Sequence, residues 1–245
     1  YMVAQLSDQA LKFRRDILAQ ERAASDVLRG YYVDASDAIG RELAGLTQRI
    51  AQAKRQGEKV SVAWLKRQER YTSLLTQIET QLTRFGQVTA ANVTQSQFQA
   101  VQSGISHAST LLQMGTGQSS FNVLPTNALE ELVGVMGDGS PLADVLKRFA
   151  PNGVKVAKSV LFNSLSQGLG AKATARALRD NLHGVVFYDA MRIARTETLR
   201  PYRESSRSVY EGAGIEEYVW VASLSARTCA ACIALNGKRF PTSEK

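Results

Sequence analysis

The chain has 245 residues, of which 44% are hydrophobic and only 7% aromatic, with 5 prolines. That apolar fraction supports a packed core and argues against wholesale disorder, while the few aromatic residues argue against a large all-β protein. Lysine and arginine total 30 against 22 aspartate and glutamate residues, so the formal net charge is +8. A basic balance suits a polyanionic environment, either nucleic acid or an acidic protein surface; the alternative is an ordinary charged surface.

The chain contains only 2 cysteines, which excludes a secreted scaffold held together by disulfides. No basic-then-apolar leader opens the chain, so we expect no signal peptide. No apolar run of about 18 residues occurs, so we expect no membrane span. Because neither Tyr1 nor Lys245 resembles a natural terminus, we expect the chain to be a segment of a longer protein.

The first 115 residues carry three helical stripes. Apolar residues recur at steps of three and four from Leu6 to Ile50, which predicts an amphipathic helix. A second stripe runs from Trp64 to Phe85, and Gly86 is expected to end that helix. A third, glutamine-rich stripe runs from Ala91 to Leu112. Long helices joined by short turns predict antiparallel hairpins, so residues 1–115 are predicted to form an elongated helical arm.

A linker and a second group of helices are predicted next. Residues 116–125 have the composition of a linker. Asn127 and Glu130 have the spacing of a capping box, and Ser140-Pro141 resembles a helix start. The remaining helices are predicted over residues 141–149, 154–167, 171–183 and 185–212, with Pro151 and Gly153 separating the first two. Pro201 is expected to kink or split the last one.

The pattern changes to β-structure after Gly212. Residues 218–222 alternate like a strand, and the Asn236-Gly237 turn predicts a returning strand through Arg239 and Phe240. The predicted fold class is therefore mainly α. An elongated helical-hairpin arm precedes a compact domain over residues 126–245, with helices over 126–212 and a small β-hairpin with a Cys-x-x-Cys knuckle over 215–245.

Cys229 and Cys232 give the sharpest chemical signal. Two thiolates three positions apart can hold one Zn²⁺ ion. Zinc needs four ligands, and His107 and His183 lie far away in the sequence, so the pair predicts a half-site completed beyond Lys245. Two alternatives stay open: a thiol–disulfide pair, and two small buried residues in a knuckle between strands.

A basic cluster lies in the predicted helix over residues 185–212. Its candidate phosphate contacts are Arg192, Arg200, Arg203 and Arg207. Because acidic residues are interspersed, the alternative is a solvated helix with ion pairs at three- and four-residue spacing. Arg195 and Glu197 are expected to tie this helix to the strands, and Trp220 is expected to anchor the strand segment in the core. No nucleophile–base pattern and no phosphate loop occurs, so we expect no enzyme.

The C-terminal third also carries a series of motifs in a recognisable order. They are Ala175-Arg-Ala-Leu178, Arg192-Ile-Ala-Arg195-Thr-Glu-Thr198, Gly212-Ala-Gly-Ile215, Tyr218-Val-Trp220, Arg227-Thr-Cys-Ala-Ala-Cys232 and Leu235-Asn-Gly-Lys-Arg-Phe240. With this order, the run from Ala171 to Phe240 resembles the phage Mu F-type head-morphogenesis, or minor head protein, family of tailed bacteriophages.

The resemblance implies a structural virion protein. Such proteins are assembled in the host bacterial cytoplasm, lie inside the capsid near the portal, and act in head assembly and in DNA packaging or ejection. The implied partners are the portal protein, further copies of the chain, and the major capsid or scaffolding protein. Relatives with a Cys-x-x-Cys commonly continue to a His and a second Cys pair, so Zn²⁺ is expected only with ligands outside this segment.

Two alternative functions accompany this interpretation. The first is a basic nucleic-acid-binding module of the virion that contacts viral DNA, for which the net charge of +8 is the argument. The second is the delivery part of a longer protein with an effector domain downstream of Lys245.

Overall fold

The computed structural model describes residues 2–117, 130–222, 224, 226 and 228–242 of the chain. The mainly α fold class is confirmed. The helices within these residues are α1 (Met2–Arg55), α2 (Val62–Lys66), α3 (Glu69–Thr116), α4 (Leu142–Leu146), α5 (Phe149–Ser166), α6 (Ala171–Leu182), α7 (Tyr188–Gly212) and α8 (Ala230–Leu235), with a π-helical turn (His183–Phe187) between α6 and α7. Two short strands, β1 (Glu217–Val219) and β2 (Arg239–Pro241), complete the fold.

Helix α1 follows the apolar stripe predicted for it. Most of the stripe is buried, and from Leu28 to Leu46 the buried members recur every three or four residues along one face. They are Ile17, Leu28, Tyr32, Ala35, Ile39, Leu43 and Leu46. The helix ends at Arg55, and Gly57 follows with a φ of 78°, a left-handed conformation that glycine adopts without strain. The chain therefore turns directly after α1.

Helix α3 runs through Gly86, so the predicted break at this residue is wrong. A Cβ atom on Gly86 would lie 3.0 Å from the carbonyl oxygen of Leu146, which means that the glycine allows close approach of α3 to α4. The first part of the predicted third stripe is also shifted, because Phe98 is exposed whereas Val93, Gln97 and Val101 are buried. Nearer its end, Ala108 and Leu112 are buried as predicted.

The prolines interrupt the C-terminal helices less than expected. Pro151 lies in the first turn of α5, where its missing N–H removes no helical hydrogen bond, so α5 begins at Phe149 rather than at Val154. Helix α7 continues through Pro201 without being split. The π-helical turn at His183–Phe187 joins α6 to α7 without an intervening loop.

The two strands pair antiparallel, with Tyr218 opposite Phe240 and Val219 opposite Arg239. This pairing confirms the small β-structure near the C-terminus. The Asn236-Gly237 turn does not join the strands directly, however, because residues 220–238, with helix α8 among them, lie between β1 and β2. The turn connects α8 to β2, and Gly237 has a φ of 82°.

The described residues pack into two compact units. The first draws on ranges 1–23, 94–139 and 196–245, and the second on ranges 24–93 and 140–195. In the first, Ala108, Leu112 and Val209 form a buried cluster between α3 and α7. In the second, Tyr32 lies at the centre of an aromatic group, with its ring 5.5 Å from Phe85 and 4.9 Å from Phe187.

Two predictions fall largely outside the described residues. The linker at residues 116–125 and the capping box that starts at Asn127 lie mostly in the range 118–129. The division into an arm over 1–115 and a domain over 126–245 therefore stays a prediction. Among the described helices, none has both the length and the apolar character needed to cross a bilayer.

Candidate functional site

The candidate metal site is built at the start of helix α8. Cys229 is the N-cap residue of this helix, and its Sγ accepts a hydrogen bond from the backbone N–H of Cys232 at 3.3 Å. The two Sγ atoms are 3.1 Å apart. Both thiols are free, Cys229 exposed and Cys232 half-buried. The local fold thus brings the two predicted ligands together on an accessible turn.

The two thiols are electrostatically unequal. The hydrogen bond with the Cys232 thiol, together with backbone N–H groups, lowers the pKa of Cys229. The same thiol–thiol contact raises the pKa of Cys232, and the positive charge of Arg14 offsets only part of this increase. Because the thiolate is the reactive form of cysteine, Cys229 is the more readily activated thiol of the pair.

The pair fits half of a zinc site. Two thiolates bound to one tetrahedral Zn²⁺ at about 2.3 Å lie about 3.8 Å apart, which a small side-chain rotation would achieve from the observed 3.1 Å. Within the described ranges, no group of three or more His, Cys, Asp or Glu side chains is arranged to hold a metal ion. The zinc site and its ligand set therefore stay a prediction.

Trp220 lies where the loop that carries the cysteines leaves the strands. Its N–H donates to the carbonyl of Lys238 at 2.9 Å, and its carbonyl accepts from the N–H of Gly237 at 2.8 Å. The half-buried indole lies edge-on to the ring of Phe240, with centroids 6.4 Å apart. Its Nε1 atom is buried without a hydrogen-bond partner among the described residues. These contacts close the base of the loop.

Glu197 is buried on α7 and holds Arg200, one turn further along. Arg200 Nε donates to Glu197 Oε2 at 3.0 Å, and the side chains of Arg200 and Glu197 are 17% and 5% exposed. The guanidinium of Arg200 also donates to the carbonyl of Val135 at 2.9 Å. The Gly137 N–H donates to Glu197 Oε1 at 3.4 Å. These partners of Glu197 belong to α7 and to the 132–137 segment, whereas Arg195 is exposed.

The other arginines of α7 differ in how they are paired. Arg192 donates to Asp189 at 2.6 Å, and Arg148 donates to the same carboxylate at 2.6 Å. Burial raises the pKa of Asp189. The hydrogen bonds and positive charges of Arg192 and Arg148 lower it by more, so the net pKa lies below its usual value. Arg207 lies between Glu204 and Glu211, at 3.0 and 3.3 Å.

Arg203 is exposed and has no ion pair with any residue of the described ranges. The pairs that Arg192 and Arg207 make, by contrast, are intrahelical pairs of the kind expected for a solvated helix. Phosphate contact by its arginines stays a prediction.

The sequence did not indicate two polar contacts that organise the first unit. The side-chain carbonyl of Gln97 accepts from the Gly134 N–H at 2.8 Å, and its amide donates to the Val135 carbonyl at 2.9 Å. The ring of His107 stacks on Phe13 with centroids 3.8 Å apart, and its Nδ1 lies 3.2 Å from the Tyr202 hydroxyl. Each contact joins residues far apart in the chain, so no local motif predicts it.

Comparison with known proteins gives one match. Residues 155–245 match the model of a family described as "Phage Mu protein F like protein". The matched range begins within α5 and includes the Cys229–Cys232 turn and both strands. No curated protein and no solved structure matches the chain. The resemblance predicted from the C-terminal motifs is confirmed.

Proposed function

Residues 155–245 belong to the phage Mu protein F-like family, and from this premise we propose that the chain is a minor head protein of a tailed phage. The family indicates a role in phage head morphogenesis. The finer proposal is that the protein associates with the portal inside the capsid and acts in DNA packaging or ejection. We propose further that its role is structural rather than enzymatic.

The single observation that carries the proposal is the extent of the family match. It includes the amphipathic helix α6, the polar helix α7, both strands and the Cys229–Cys232 turn. A match limited to one helix would be explained by helical periodicity alone, whereas this range combines helices, strands and a cysteine turn.

A partner surface is supported by exposed apolar residues on α1. Val27 is 47% exposed and Tyr31 is 42% exposed, and their spacing of four puts them on one helix face. Apolar side chains grouped on a helix face are typical of protein–protein contacts. We propose that this face contacts the portal, a further copy of the chain, or the major capsid or scaffolding protein.

The experiment compares incorporation of full-length variants into phage heads. Val27→Gln with Tyr31→Gln removes the proposed apolar contact, and Val62→Gln with Leu169→Gln is the matched control, because these two residues are also exposed and apolar. The first pair is expected to lose co-purification with portal-containing particles while circular dichroism stays unchanged. Equal recovery of both pairs would show that the face of Val27 and Tyr31 makes no contact that incorporation needs. Absence of the wild-type protein from heads would refute the proposed function itself.

We also propose Cys229 and Cys232 as half of a zinc site, with the remaining ligands supplied from outside the described residues. The thiolates would anchor the ion and fix the α8 turn. The test measures zinc by elemental analysis in particles that carry the wild-type protein or Cys229→Ser with Cys232→Ser. Equal zinc in both preparations would contradict the half-site.

Viral DNA is a second candidate contact, which the net charge of +8 favours. On α7, the exposed candidates for phosphate contact are Arg192 and Arg203, whose side chains face solvent. Filter binding of duplex DNA at about 50 and about 200 mM salt tests it, since phosphate contacts produce a steep salt dependence. Binding without a salt slope would contradict a DNA role.

A further inference from the structure

Cys229 and Cys232 flank the first turn of α8, an exposed helix. Within α8, all of which the structure describes, no side chain is buried, and Ile233 is 50% exposed. Packing against the core therefore does not explain why the two sulfurs lie together. The cap of the helix holds them, because the Cys232 N–H donates to Cys229 Sγ at 3.3 Å. The adjacent thiols are thus a property of this turn itself.

Both thiols are within reach of a small molecule. Cys229 is exposed and Cys232 is half-buried, which excludes the alternative of two small buried residues in a knuckle between strands. The residues between them, Ala230 and Ala231, are exposed and carry only methyl groups. A small reagent therefore reaches Cys229 Sγ without displacing a bulky side chain of this turn.

The distance between the sulfurs suits a covalent bond between them. The Sγ atoms are 3.1 Å apart and a disulfide needs about 2.05 Å, so a movement of about 1 Å by side-chain rotation closes the bond. Zinc binding would require the opposite movement, to about 3.8 Å. The disulfide and the zinc half-site are exclusive states of one pair, because a sulfur in a disulfide is no longer a thiolate ligand.

We propose that Cys229 and Cys232 form a reversible dithiol–disulfide site that takes a low-molecular-weight disulfide as its oxidant. The exposed Cys229 thiol loses its proton, and its sulfur attacks one sulfur of the oxidant and breaks the S–S bond there. A mixed disulfide forms on Cys229, and the thiolate that leaves takes up a proton.

The second step closes the ring within the protein. The Cys232 thiol loses its proton, and its sulfur attacks Cys229 Sγ, which releases the second thiol of the oxidant. In total, two protein thiols are oxidised to one disulfide, and one small disulfide is reduced to two thiols. This chemistry goes beyond the proposed head function and does not depend on it.

The first test follows the chemistry by mass. The reduced full chain, in a chelating buffer that removes metal, is equilibrated with mixtures of reduced and oxidised glutathione. After an acid quench, N-ethylmaleimide labels the remaining thiols, and intact mass spectrometry separates the products. We expect an unlabelled monomer that is lighter than the reduced chain by two hydrogen atoms, and excess reduced glutathione should restore both thiols. An unreacted chain, stable glutathione adducts without ring closure, or disulfide-linked dimers would overturn the proposal.

Two single substitutions test the order of attack. Cys232→Ser keeps the exposed sulfur and is expected to stop at the glutathione adduct on Cys229. Cys229→Ser keeps only the half-buried sulfur and should react several-fold more slowly, while serine still caps the helix. Circular dichroism should be unchanged for both. Equal or faster reaction of Cys229→Ser would overturn this order.

A second measurement tests whether the fold prepares the pair, since cysteines at this spacing can also close a ring in an unfolded chain. The glutathione equilibrium is repeated in urea that unfolds the protein. Because the turn already holds the sulfurs 3.1 Å apart, we expect ring closure to be about tenfold or more favourable in the folded chain. Equal equilibrium constants would overturn the role of the α8 turn. Metal and phage heads are absent throughout, so failure here is distinguishable from failure of the zinc half-site or of the head function.

Discussion

Arg200 Nε lies 3.0 Å from Glu197 Oε2, and this pair on α7 joins the helix to the 132–137 segment through the carbonyl of Val135. Both side chains are largely withdrawn from solvent. The planar guanidinium donates to a carboxylate and to a backbone carbonyl at the same time, which a lysine ammonium does not reproduce in that geometry.

Loss of Arg200 should therefore destabilise the protein strongly. Arg200→Ala leaves the buried Glu197 carboxylate without its cation, and we expect the free energy of unfolding to fall by about 3–5 kcal/mol. Arg203→Ala is the matched control on the same helix, where an exposed side chain should change stability by about 0.5 kcal/mol or less. Urea denaturation measures both. A similar, small effect of the two substitutions would show that the buried pair contributes little.

Two glycines should respond in opposite ways to alanine. A Cβ on Gly104 would lie 2.6 Å from the Tyr202 carbonyl oxygen, so Gly104→Ala should destabilise the first unit by about 1–3 kcal/mol. A Cβ on Gly30 meets nothing within 4 Å, so Gly30→Ala should stabilise α1 by about 0.5–1 kcal/mol. Thermal denaturation compares the two. A destabilising Gly30→Ala would contradict the open surface around this residue.

His107 should make stability depend on pH. Burial lowers the pKa of His107 below its usual 6.5, and the negative charge of Asp16 offsets only part of this effect. The unfolded chain therefore binds a proton at a higher pH than the folded chain. Stability should accordingly fall as pH decreases from about 7.5 through 6.5 towards the lower folded pKa.

The measurement is the urea midpoint at several pH values, with His107→Phe as the comparison. Phenylalanine can keep the ring stack on Phe13 but does not titrate. The variant should show a smaller change in midpoint over the same pH interval. Identical pH profiles for both proteins would refute the role of His107.

The two cysteines should react at different rates. Because hydrogen bonding lowers the pKa of Cys229 and raises that of Cys232, iodoacetamide at about pH 7.5 should label Cys229 first. Peptide mapping of the wild-type protein by mass spectrometry gives the two rates. Cys232→Ser removes the neighbouring thiol and should slow the labelling of Cys229. Faster labelling of Cys232 in the wild-type chain would contradict the assigned order.

The spacing of apolar residues predicted most helices because burial follows helical periodicity, as it does in α1. The spacing failed where contact with a segment distant in the sequence decides whether a residue is buried or ends a helix. Gly86 looks like a helix end, yet its lack of a Cβ allows contact with Leu146. Gln97 looks like a solvated residue in a glutamine-rich stretch, yet it is buried because its amide bonds the backbone of residues 134 and 135.

The candidate sites also differ in whether local spacing predicts them or tertiary packing determines them. The spacing of Cys229 and Cys232 predicted that the thiols would be adjacent, and the structure brings their Sγ atoms to 3.1 Å. The cations at residues 172, 176 and 179 of α6 recur at helical spacing, but no prediction was made from them. Their proximity to Arg41 of α1 depends on tertiary packing of segments more than 120 positions apart along the chain.

The π-helical turn at His183–Phe187 sets the rotational phase of helix α7. A π turn holds one residue more than an α turn, so this wide turn absorbs an extra residue while α7 keeps its phase. Deleting one residue within the turn would restore regular α-geometry and leave the buried side chains of Ala190 and Ile193 against their neighbours. Deleting one residue from the regular helix at the start of α7 would instead rotate the following residues by about 100°, so the π turn is the place where a single-codon deletion disrupts this helix pair least.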